Sequence, residues 1–132
     1  MKKVIVVAVL LLAFVGFAQE VMKLKKIEPK KEFDNILVQK LNDDDHQSTF
    51  VIWIKESVKL HKHEYHTENI YVIAGKGNMR IGDQTYEVQK GDYFRIPENT
   101  PHSLEVTSSK PMKVLSTQCP KFLGTDRVFI EE

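Results

Sequence analysis

The hydrophobic positions of this chain fall in short bursts rather than at helical intervals. Phe50-Val51-Ile52-Trp53-Ile54 is an unbroken run of β-branched and aromatic residues, the pattern of a strand buried on both faces. Ile70-Tyr71-Val72-Ile73 is a second run, closed by Gly75-Lys76-Gly77. Met79-Arg80-Ile81 and Gln84-Thr85-Tyr86 flank Gly82-Asp83, a two-residue connection suited to a tight hairpin. Lys90-Gly91-Asp92 marks another turn, after which Tyr93 to Ile96 runs into Pro97. His102 to Thr107, Lys113 to Thr117 and Arg127 to Ile130 read as further strands. Strands at intervals of roughly 8–12 residues with Gly and Pro punctuation predict an all-β sandwich or barrel. After residue 20 no apolar repeat persists at helical spacing over three turns, so helix is minor.

The amino-terminal run has a different character. Lys2 and Lys3 precede an apolar stretch from Val4 to Phe17, and Gly16 and Ala18 supply small residues where a signal peptidase needs them. The stretch is shorter than the roughly 20 residues of a spanning helix. Residues 1–18 are therefore expected to be a cleaved export signal, 19–34 an arm, and 35–132 a single β domain. No cysteine near the cleavage point offers a lipid attachment, and there is no twin-arginine pair. The expected location is periplasmic or extracellular, with no membrane attachment after cleavage.

Composition narrows the function classes. With 132 residues, 42% of them hydrophobic and 28% charged, the chain has enough apolar content for one core and no signature of disorder. The net charge of +1 becomes −1 once Lys2 and Lys3 are removed, which leaves no field to steer the protein to nucleic acid. The lysine-rich stretch from Val21 to Lys31 is interrupted by Glu28 and reads as a solvated arm or edge strand. Cys119 is the single cysteine, so no internal disulfide or Cys-rich zinc site can form, and any staple must be a metal held by other ligands.

Four of the five histidines lie in two places. His61 and His63 are two apart, so on a strand both imidazoles face one side. Glu68 follows after a short turn and can add a carboxylate to the same space. His102 is delivered by the turn Pro97-Glu98-Asn99-Thr100-Pro101. Three imidazoles and one carboxylate meeting inside a β scaffold suit a divalent transition metal. The His-x-His pair alone would equally describe two exposed strand residues.

The whole pattern resembles the cupin family. His61-x-His63, four residues, Glu68, six residues and Gly75 are similar to the first cupin motif; Gly91, five residues, Pro97 and then His102 are similar to the second. The resemblance implies a double-stranded β-helix, or jelly roll, with His61, His63, Glu68 and His102 binding one divalent ion (Mn, Fe, Ni, Cu or Zn), and it allows a homodimer. It makes Gly75, Gly91 and Pro97 turn residues. The chain departs from the motifs at Lys55 and Asn99, where the family has Gly, and at Val106, where it has Asn. Asn tolerates the left-handed conformation better than most residues, so the Asn99 turn can survive.

Other residues suggest a pocket without defining one. His66 is an exposed turn residue or, with Tyr65, a proton-transfer group if it faces a pocket. Trp53, Tyr71, Arg80, Phe94 and Arg95 are candidates to line or rim a substrate site, and the sequence does not choose between Phe94 and Arg95 as the inward residue. His46, after three aspartates, reads as a surface turn. The functional expectation is an exported metal-dependent enzyme, of oxygenase, isomerase or lyase type, acting on a small oxygen-rich molecule such as a sugar acid, phenolic or dicarbonyl compound. The alternatives are a non-catalytic cupin that captures a small ligand or metal, and a sandwich that the metal merely staples.

Overall fold

The computed structural model describes residues 21–131; the export signal expected over 1–18 lies outside them. Among the described residues there are ten strands and one short 3₁₀ turn, η1 (Leu24–Lys26). In chain order the strands are β1 (Ile36–Asp43), β2 (Ser48–Ile54), β3 (Ser57–His63), β4 (Thr67–Ala74) and β5 (Lys76–Ile81). They continue as β6 (Gln84–Gln89), β7 (Tyr93–Ile96), β8 (His102–Val106), β9 (Met112–Cys119) and β10 (Arg127–Phe129). One antiparallel sheet has the order β1-β2-β9-β4-β7 and the other β10-β3-β8-β5-β6, the two layers of a jelly-roll sandwich. The hydrophobic bursts fall on these strands as expected. The exception is β1, whose mixed sequence Ile-Leu-Val-Gln-Lys-Leu-Asn-Asp gives no uninterrupted run.

The core between the sheets is built from Ile54, Ile70, Val72, Met79, Leu104 and Met112 with their neighbours. Because side chains alternate along a strand, β2 sends Ile52 and Ile54 inward and Val51 and Trp53 outward. The outward residues are covered by the chain itself. Leu24, Ile27 and Phe33 of the arm pack with Leu37, Val51, Trp53 and Ile73 in a second cluster. Lys113 fastens the arm: its buried ammonium donates to the carbonyls of Leu24 at 2.7 Å and Ile27 at 2.5 Å and lies over the Trp53 ring. Burial holds this amine below the usual lysine range.

Four turns have positive φ where the sequence places turn residues: Gly75 at +88°, Gly82 at +60°, Gly91 at +98° and Asn99 at +57°. Gly75 has a second constraint, since a Cβ there would come within 2.6 Å of the Met112 Cα. Asn99 does more than tolerate its conformation. Its N–H donates to the His63 carbonyl at 2.6 Å and its side-chain amide to the Glu64 carbonyl at 3.3 Å, fixing the turn before β8 to the end of β3.

Candidate metal centre

β3 carries His61 and His63 on its inner side, and β8 begins with His102 directly opposite His61. All three imidazoles are buried, and one ring nitrogen from each lies within 4.8 Å of the others. Backbone carbonyls orient two of the rings: His61 Nδ1 is 2.7 Å from Lys59 O and His102 Nδ1 is 2.9 Å from Thr100 O. Those contacts place the proton on Nδ1 and leave Nε2 as the donor atom of each ring. Burial, the largest cause, pushes His61 down to about 4, helped by His102. Burial likewise pushes His63 down to about 4, against the pull of Glu68. Both rings are therefore neutral and able to ligate at neutral pH.

Glu68 enters from the opposite sheet on β4. One of its oxygens is anchored: Ser116 Oγ donates to Oε1 at 2.5 Å and Gln118 Nε2 at 3.1 Å, both from the neighbouring β9. The other, Oε2, faces the histidines, 3.8 Å from His63 Nε2 and 3.6 Å from His102 Nε2. Burial opposes ionisation of Glu68. The contacts with His102, Ser116 and Gln118 outweigh it and hold the carboxyl well below the usual carboxylate range.

The donor set passes a test of fit to a cation. His63 Nε2 and His102 Nε2 are buried without a hydrogen-bond partner. A buried polar atom left unpaired costs about 1–3 kcal/mol, and a divalent ion among these atoms would use both nitrogens and the free Glu68 oxygen. Three imidazole nitrogens and one carboxylate oxygen suit a first-row transition ion.

Residues 48–118 match the family model described as the Cupin domain. The chain belongs to the cupin family. Among curated relatives, an uncharacterised protein of Methanocaldococcus jannaschii is 32% identical over 81 residues, covering 61% of this chain and 65% of that protein. Quercetin 2,3-dioxygenase of Bacillus subtilis is 40% identical over 48 residues, 36% of this chain and only 14% of that enzyme. The chain thus spans less than two thirds of the length of either protein. A solved double-stranded β-helix protein of Klebsiella pneumoniae, described as uncharacterised, superposes with a TM-score of 0.70 at 13% identity, covering 86% of this chain and 99% of that one.

The cupin's site extends past the matched region to residues that spacing did not reveal. Asp126, just before β10, is buried with Oδ2 at 2.5 Å from His66 Nδ1 and Oδ1 at 3.6 Å from His63 Nδ1. His66 is accordingly not an exposed turn residue: it is 2% exposed and stacks on His63 with ring centroids 4.1 Å apart. The segment leading into β10 folds over it and removes it from solvent. Burial, partly offset by Asp126, lowers its pKa. Tyr65 is exposed, and with His66 it lines an outer depression rather than the cavity beside the histidines.

That cavity, of about 80 Å³, lies between the sheets with His61, Glu68 and His102 in its wall. Phe94 lines it and Arg95 does not, because Phe94 pairs with Ile70 on the inner face of β4. Of the other residues expected at a substrate site, Trp53 belongs to the outer cluster and Tyr71 is exposed. Arg80 bonds Gly82 O through Nε, and neither it nor those two lines the cavity. Arg127 does line it, and was not anticipated. A lone arginine at the start of a three-residue strand carries no local signal; only its register against His63 brings it to the site.

Proposed function

We propose that this cupin holds one divalent transition metal (Mn, Fe, Ni, Cu or Zn) through His61, His63, Glu68 and His102, and acts on a small oxygen-bearing molecule admitted to the adjoining cavity. The observation that carries this reading is the convergence of two unpartnered imidazole nitrogens and the free oxygen of Glu68 beside that cavity. When bound, such an ion supplies Lewis acidity toward a carbonyl, carboxylate or hydroxyl oxygen, the requirement shared by oxygenase, isomerase and lyase chemistry. The chain's own contribution is positional. Lys59, Thr100, Ser116 and Gln118 fix the donors, and a largely apolar lining surrounds the adjoining space.

Cavity size and lining narrow the substrate. Pockets for drug-sized molecules run to about 300–1,000 Å³, so about 80 Å³ argues against a flavonol such as the quercetin named for the Bacillus relative. Ile52, Ile70, Phe94, Met112 and Val114 offer no partners for the hydroxyls of a sugar acid, each of which would be buried unpaired. A compact carbonyl or carboxylate compound with an aliphatic body fits better. The amino-terminal run supports export of the protein to the periplasm or medium.

Elemental analysis of protein purified without chelator, beside the His61→Ala/His63→Ala variant, tests the reading. About one equivalent of a transition metal, lost in the variant, is expected. No metal in the unmodified protein even after reloading would sink the proposal, and metal and ligand binding without turnover would make the cupin a carrier instead.

A further inference from the structure

β10 pairs with β3 so that Arg127 stands opposite His63 and Phe129 opposite His61. Residues directly opposite in an antiparallel pair project to the same face, so both side chains lie on the side that carries the histidines. Phe129 confirms this, with its ring centroid 6.0 Å from that of His61. Arg127 lines the cavity together with His61, Glu68 and His102, yet remains exposed to solvent. Its neighbour Asp126 is committed to His66 and His63. Among the described residues the Arg127 guanidinium has no hydrogen bond or ion pair.

The polar groups of the cavity wall are few: His61, Glu68, His102, Ser103 and Arg127, with apolar side chains elsewhere. With a divalent ion bound, the ion and Arg127 bring positive charge that the Glu68 and Asp126 carboxylates together do not fully balance. In an apolar, partly enclosed space that surplus favours an anionic ligand. Guanidinium offers a planar fork that matches a carboxylate in two parallel hydrogen bonds. We infer that Arg127 is a specificity residue that selects a small aliphatic carboxylate, pairing with its anionic end at the cavity mouth while the hydrocarbon body enters the apolar interior. This rests on the metal-centre reading for the reaction, but the pairing itself needs only Arg127 and the cavity.

The test compares isobutyrate with isobutyramide, which share shape and differ in charge, by calorimetric titration at pH 7. It uses the cobalt-loaded and the metal-free protein and the Arg127→Met and Arg127→Lys variants, with melting curves to confirm folding. The unmodified protein is expected to bind the carboxylate about ten-fold or more tighter than the amide, in keeping with a charge-assisted pair. Arg127→Met should lose that preference and Arg127→Lys keep part of it. Equal binding of carboxylate and amide, undiminished preference in Arg127→Met, or no isobutyrate binding would overturn the inference. Failure to take up cobalt is a separate result that overturns the metal centre; the metal-free titration then decides the Arg127 pairing by the same criteria.

Discussion

Asp126 Oδ1 stands 3.6 Å from Nδ1 of His63, the ring nitrogen turned away from Glu68. The His61 and His102 rings are oriented by carbonyls two residues earlier on their own segments, Lys59 and Thr100. No carbonyl bonds His63 Nδ1, which has no hydrogen-bond partner among the described residues; the carboxylate facing it comes from a distant part of the chain. Asp126 also lies against His66, which stacks on His63, so one carboxylate faces two imidazoles.

Removing that carboxylate should loosen the metal without unfolding the barrel. Outer partners of a ligating histidine typically account for 10–100-fold in metal affinity. Asp126→Asn is expected to weaken binding by about that factor in competition with a chromophoric chelator. An unchanged affinity would show that Asp126 does not orient His63.

The Ser116 hydroxyl lies 2.5 Å from Glu68 Oε1 in a fully buried setting. Ser116→Ala leaves Gln118 as the remaining hydrogen-bond donor to that oxygen among the described residues. A hydrogen bond to a buried charged group contributes about 1.5–3 kcal/mol, so urea unfolding of the metal-free variant should show a loss of about 2 kcal/mol. A loss below about 0.5 kcal/mol would mean that water replaces the hydroxyl.

Gly75 and Gly91 look alike in the sequence but should respond differently to alanine. Gly91 has open space around the position of a Cβ, so Gly91→Ala costs only its backbone strain, about 1–2 kcal/mol. Gly75→Ala adds a clash with Met112 backbone at 2.6 Å and should cost clearly more. Equal melting temperatures for the two variants would contradict this ordering.

Lys113 predicts a local effect. Lys113→Met removes both hydrogen bonds to the arm while keeping a long apolar stem against Trp53. Limited trypsin digestion should then cut faster after Lys23, Lys25 or Lys26 while the sandwich stays intact. Unchanged cleavage would show that Leu24, Ile27 and Phe33 hold the arm by packing alone.

Much of this was legible because local spacing encodes it. His61 and His63 share a face by strand alternation, and Asn99 adopts the left-handed turn that its side chain permits. The residues that escaped notice act across strands. Ser116 and Gln118 reach Glu68 only through the register of β9 against β4. Asp126 and Arg127 reach His63 only because β10 lies on β3. The outward placement of Trp53 is hidden in the sequence for a related reason. The continuous run Phe50 to Ile54 has no alternation to mark its inner face, and its outer face is covered by the arm, whose lysines read as solvated.

The position of β10 also sets an order of events. Among the described residues it follows every other strand, so His61 and His63 emerge during synthesis long before Asp126 and Arg127 can join them. The finished pocket is thus a product of completed folding, and an ion bound there would be drawn from whatever compartment the protein folds in.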